Sequence, residues 1–149
     1  MSLIKKIQIT IMVSLIFLAV SLPVTYKMTD KVITKSSGKI YNKEKGCPTI
    51  YGQLLHTIVF GMIVFMMMFF RGIVSGKGIR SVGVSIKHTI YSTLLYSVVS
   101  SPSLYMIMRE NVSERIASAT GCPTIVGTIL HNVVYSVLLI ILMYLPDEK

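Results

Sequence analysis

Charge leaves this chain in long gaps. Four windows of twenty residues contain no Lys, Arg, Asp or Glu: Ile7–Tyr26, Tyr51–Phe70, Thr89–Met108 and Val126–Leu145. About twenty apolar residues of helix cross the hydrocarbon core of a bilayer. A helix on a soluble core is apolar along one stripe only. "IVFGMIVFMMMFF" and "VLLIILMYL" are apolar all round. The pattern predicts an all-α membrane protein with four transmembrane helices, over about 7–26, 50–70, 89–108 and 125–145.

The polar positions carry a second regularity. "GCPTIYGQLLHTIVF" at 46–60 returns as "GCPTIVGTILHNVVY" at 121–135, with nine of fifteen positions identical. Upstream, "TIMVSLIFLAVSLPVTYKM" at 10–28 aligns with "TIYSTLLYSVVSSPSLYMI" at 89–107, pairing Thr10 with Thr89, Pro23 with Pro102 and Tyr26 with Tyr105. The unit is a span, a Pro near its end, a polar connector, GCPTI and a second span. The first unit is predicted over 1–72 and the second over 89–149, joined by residues 73–88. Two spans return the chain to its starting side, so the units are expected as parallel tandem helix hairpins about an axis along the membrane normal. Lys5 and Lys6 precede the first span as they would a secretory signal. Its length and its counterpart in the second unit predict an uncleaved anchor.

Much of the repeated motif describes a helix start. Gly46 and Gly121 allow a turn. Pro48 and Pro123 suit the first helical position, and Thr49 and Thr124 can cap the first turn. Gly52 and His56, like Gly127 and His131, are four apart and share a helix face. Glycine permits close backbone approach in lipid, so spans two and four are expected to pack through this face. Thr89, Thr93, Ser97 and Ser101 form a ridge of small polar residues on span three.

His56 and His131 are the sharpest candidates for chemistry, because an ionisable residue inside a span is a functional hypothesis by default. Two such rings could form a proton relay, a gate or part of a metal site. The plainer alternative is a neutral imidazole bonded to a backbone carbonyl, or to a side chain such as Thr57 or Asn132. No intramembrane carboxylate accompanies them, which weakens a pump or transporter. Cys47 and Cys122, the only cysteines, fall on one predicted face. They either pair as a disulfide in an oxidising compartment or serve as small interface residues. Membrane thiol oxidoreductases use Cys-x-x-Cys pairs, absent here. With no phosphate loop, nucleophile elbow or carboxylate pair, the chain reads as a non-enzyme with no cofactor and no metal.

Composition sharpens the picture only at the connectors. The chain of 149 residues has a net charge of +9 and is 52% hydrophobic. Its charges flank spans, as anchors and headgroup contacts do, so nucleic acid is not an expected partner. Lys and Arg divide almost evenly between the two faces and do not orient the protein. Connector 27–46 concentrates six Lys against two acids, with a Ser-Ser-Gly turn. It is either a solvated loop or a docking surface for an acidic protein or headgroups, through Lys31, Lys35, Lys39, Lys43 and Lys45. Asn111-Val112-Ser113 matches a glycosylation acceptor.

Over the two copies of GCPTI-x-G-x-x-LH-x-x-V the sequence resembles small integral membrane proteins of nucleocytoplasmic large DNA viruses, especially those infecting algae. The resemblance covers roughly 30 residues strongly and the rest in layout. The duplication and the Lys-rich connector depart from the family pattern. What it implies is a structural role in the virion inner membrane under the capsid, reached through host endomembrane, as a minor capsid or membrane component. Partners would be the bilayer, coat proteins and further copies of the chain. The competing expectations are a small pore or proton channel using His56 and His131, and redox chemistry at Cys47 and Cys122.

Overall fold

The computed structural model describes residues 3–35, 38–74 and 80–144. It is dominated by helices: α1 (Leu3–Ser21), α2 (Pro23–Ile33), α3 (Ile50–Val74), α4 (Arg80–Val99), α5 (Pro102–Asn111) and α6 (Ile125–Leu142). A two-residue pair, β1 (Tyr41–Asn42) and β2 (Cys47–Pro48), closes the first connector with Tyr41 opposite Pro48. The second connector has only the Ala117–Pro123 bridge there.

Among the described residues, three helices are long and apolar enough to cross a membrane: Leu3–Ser21, Ile50–Gly72 and Ile125–Leu142. The third expected span differs. Instead of one helix over 89–108, α4 starts at Arg80, stops at Val99, and α5 starts anew at Pro102. Proline has no N–H to continue the ladder, and Ser101 caps the new helix by accepting the Leu104 N–H at 3.3 Å. The expected span 7–26 breaks likewise at Leu22, with Pro23 opening α2. Helix α2 takes up the first part of connector 27–46, and α4 the last part of the 73–88 joint. The C-terminal "PDEK", Lys77 and most of the Ser-Ser-Gly turn lie outside the described residues.

Helix α3 lies along α4 and α1 along α6, while α1 meets α3 and α4 meets α6, which closes a ring of four. Four aromatic rings fill its centre. Phe17 (α1) and Tyr96 (α4) align between the two copies, as do Phe60 (α3) and Tyr135 (α6), and all four are fully buried. Phe60 stacks on Tyr96 with centroids 4.2 Å apart, and Phe17 meets Tyr135 at 4.8 Å. The two hydroxyls have partners: Tyr96 accepts from Ser21 at 3.3 Å, and Tyr135 shares a 2.9 Å bond with Ser92. Asn132 and Ser14 tie α6 to α1. Outside, Leu15, Leu54, Met62, Leu94 and Val133 are each more than half exposed. An apolar exterior over a ring with small polar and aromatic contacts is what lipid as a solvent selects.

Close helix approach occurs at an unexpected glycine. A Cβ on Gly61 would come within 2.9 Å of the Thr93 hydroxyl on α4. Gly61 and the threonine ridge therefore hold α3 against α4.

Candidate functional site

The repeated motif gathers at the connector end of the bundle, where each unit builds the same lock. Its cause is the proline break. At the end of α1, Pro23 brings no N–H, so the last carbonyls of the helix need other donors. The Thr25 hydroxyl serves Ala19 at 2.6 Å. His56, reaching across from α3, serves Val20 at 2.8 Å through Nδ1. In the second unit His131 Nδ1 serves Val99 at 2.6 Å. A carbonyl oxygen only accepts, so both rings carry their proton on Nδ1. The partner is a helix-end carbonyl in each case. Thr57 bonds its own helix at Gln53, and Asn132 bonds Ser14.

Each imidazole is also covered on one face. Tyr26 stacks on His56 with centroids 3.7 Å apart and planes 10° from parallel, and Tyr105 stacks on His131 at 3.7 Å and 2°. Both histidines are buried. Each Nε2 has no hydrogen-bond partner among the described residues.

The glycines and threonines hold the returning connector. Thr49 accepts the Gly52 N–H at 3.0 Å and donates its hydroxyl to the Lys39–Ile40 carbonyls, while its own N–H reaches Ile40 at 3.0 Å. Thr124 repeats this with Gly127 at 3.0 Å and with the carbonyls of Arg115 and Ile116 at 2.6 and 2.9 Å. This corrects the role expected of Gly52 and Gly127. A Cβ on either would overlap the Ile40 or Ile116 carbonyl, so each admits a connector strand rather than a neighbouring span. Pro48 and Pro123 also differ from expectation. The helices begin at Ile50 and Ile125, which leaves the prolines outside in the short strand and bridge. Gly46 and Gly121 turn the chain with φ of +69° and +78°.

Cys47 and Cys122 form a disulfide across the two units, with Cα atoms 4.9 Å apart. Beneath it lies a cavity of about 20 Å³ lined from both units by Ser21, Tyr26, Gln53, Ser100 and Tyr105, among others. That is room for about one water, not for an organic substrate. No group of three or more His, Cys, Asp or Glu among the described residues could hold a metal.

One support is confined to the first unit. Asp30 on α2 is buried and accepts from Thr34 Oγ1 at 2.7 Å, Ile40 N–H at 3.0 Å and Gly38 N–H at 3.3 Å. The Thr34 hydroxyl first, then these amides, hold its carboxyl below the usual carboxylate range. The aligned position of the second unit is Arg109. Lys31, Lys35, Lys39, Lys43 and Lys45 are all exposed around this connector.

No protein family, curated protein or solved structure matches the chain.

Two outcomes follow from these contacts. Gly127→Ala should lower thermal stability in detergent by about 1–3 kcal/mol, as overpacking does. Gly83→Ala, whose Cβ would meet nothing within 4 Å in helix α4, should raise it by about 0.5–1 kcal/mol. Equal effects would show that the Ile116 carbonyl does not press on Gly127. For Asp30, a carboxyl with a depressed folded pKa stabilises above its unfolded value of about 3.9 and loses that effect as pH falls through the folded value. The melting-temperature gap between the native chain and Asp30→Asn should therefore be full at pH 6 and shrink below about pH 4. A gap constant down to pH 2 would contradict the hydrogen-bonded carboxylate.

Proposed function

We propose that this chain is a structural integral membrane protein: four spans in two parallel tandem units that anchor a membrane and present a rigid connector face to a protein shell. The carrying observation is that the groups best suited to chemistry are engaged in building that face. Both histidines donate to helix-end carbonyls, both cysteines are joined, and aromatic rings fill the ring of helices where a pore would run. Helix α4 is the fourth span in this proposal. It is 20 residues long, although Arg80 and Lys87 make its first half less apolar. The resemblance to large DNA virus membrane proteins supports reading the shell as a capsid, with this chain as a minor capsid or membrane component in the inner membrane below it. Disulfides persist in oxidising compartments and on virions, so the connector face belongs on such a side.

A channel would rest on the two buried Nε2 atoms. It requires pH-dependent flux in liposomes that His131→Leu abolishes. The structural proposal expects no flux.

The shell contact is assigned to the basic loop beyond α2. Exposed charges are screened over about 8 Å at physiological salt. Crosslinking of the native membrane should capture a coat or scaffold protein at residues 38–46, and raising salt should weaken that association while leaving membrane insertion intact. Replacing Lys35, Lys39 and Lys45 together with Gln should reproduce the high-salt result. Normal co-assembly of that variant would reduce the connector to a solvated loop.

A further inference from the structure

The duplicated frame carries different surfaces in its two copies, and the difference falls on α2. Its inner face is fixed: Tyr26 covers His56, and Asp30 holds the Ile40 amide. Its outer face is apolar, with Val24, Met28 and Val32 at four-residue spacing and 56%, 62% and 78% exposed. Lys27 and Lys31 are exposed along one edge of that stripe. The Lys27 ammonium leans on the Tyr41 ring, 5.3 Å from its centroid.

The height of this stripe is set by the lock. Tyr26 is level with His56, and Asp30 grips the same Ile40 whose carbonyl presses on Gly52. Helix α2 therefore flanks the first two turns of α3, where Ile50, Tyr51 and Leu54 are exposed. In α5 the aligned positions are Ser103, Ile107 and Asn111, edged by Met106 and Glu110. The same helix position in the second unit thus has neither the apolar stripe nor the lysines.

We propose that α2 is an interfacial helix that binds an anionic bilayer surface. Val24, Met28 and Val32 sink to the acyl boundary, while Lys27 and Lys31 reach up to lipid phosphates. An apolar stripe edged by lysines is the composition of helices that lie in the membrane interface. Charge complementarity selects anionic headgroups, and the place of the stripe beside the exposed apolar first turns of α3 selects the bilayer over a protein groove. The proposal rests on the bundle spanning a membrane, and its test separates the two.

Spin labels at Leu15→Cys and Met28→Cys, each in the otherwise native chain, report on the two statements independently. The native cysteines are already joined, so only the new thiol reacts. In phosphatidylcholine–phosphatidylserine vesicles, both labels should collide more with oxygen, which partitions into lipid, than with a water-soluble nickel chelate. A Leu15 label in lipid with a Met28 label open to nickel would overturn the interfacial helix and leave the membrane bundle standing. A Met28 label shielded from both probes would assign the stripe to a protein partner and equally overturn it. A Leu15 label open to nickel would remove the membrane bundle and this proposal together. The headgroup preference is read with spin-labelled phosphatidylserine against phosphatidylcholine. Lys27→Gln with Lys31→Gln should lower the selectivity of that site by about fivefold per lysine. Unchanged selectivity would overturn the assignment of the two lysines to lipid phosphates.

Discussion

A carbonyl oxygen buried at the end of a broken helix must find a donor. Pro23 and Pro102 create that demand at Val20 and Val99, and an imidazole from the following long helix meets it in each unit. An unpaired buried backbone group costs about 1–3 kcal/mol, and more in lipid. The Pro near the end of one span and the His two turns into the next are therefore two halves of one interaction. The bond sets the height of α3 against α1 and of α6 against α4. Tyr26 and Tyr105 can stack only because the first residues of α2 and α5 begin beside those rings.

Above this pair of bonds the connectors are drawn down onto the helix starts. Gly52 and Gly127 leave space for the returning carbonyls, and Thr49 and Thr124 fasten them. The Cys47–Cys122 bridge then fixes one unit to the other across the same end. The result is a stiff face on a ring of helices whose centre is filled by Phe17, Phe60, Tyr96 and Tyr135. On this shared frame the first unit alone carries Asp30, the basic loop and the apolar outer stripe of α2. The duplication supplies the shared frame, and the departures from it give the first unit a surface that the second lacks.

The helical class, the long apolar stretches and the two copies of the motif were legible in the sequence, because charge gaps and identities are local features. The threonine caps and the turns at Gly46 and Gly121 were legible for the same reason. What escaped was the partner in most contacts between distant segments: a Cys47–Cys122 pair and a carbonyl-bonded imidazole were open alternatives, but nothing local named Val20 or Val99 as the acceptor. Gly52 at four residues from His56 looked like a helix-packing face, but the object it admits is a connector 12 residues upstream, and no spacing rule signals that. Gly61, which does mediate close helix approach, lies in an apolar run with no partner pattern around it. The breaks at Leu22 and Ser100–Ser101 were signalled by Pro23 and Pro102, yet a charge-free window hides a helix boundary inside it. Asp30 reads as one more charge in a lysine-rich loop until Ile40 and Thr34 surround it.

The most direct test of this account is the location of the ring proton in the membrane-embedded protein. With ¹⁵N-labelled histidine and ¹³C-labelled valine, solid-state NMR should find His56 and His131 protonated on Nδ1 alone, each with a through-space correlation from that proton to the carbonyl carbon of Val20 or Val99. Pro23→Ala, which removes the break so that α1 can continue and the Val24 N–H can reach the Val20 carbonyl, should weaken the His56 correlation and leave that of His131 unchanged. Protons on Nε2, or imidazoles with no contact to either carbonyl, would contradict the claim that the histidines exist to complete the broken helices.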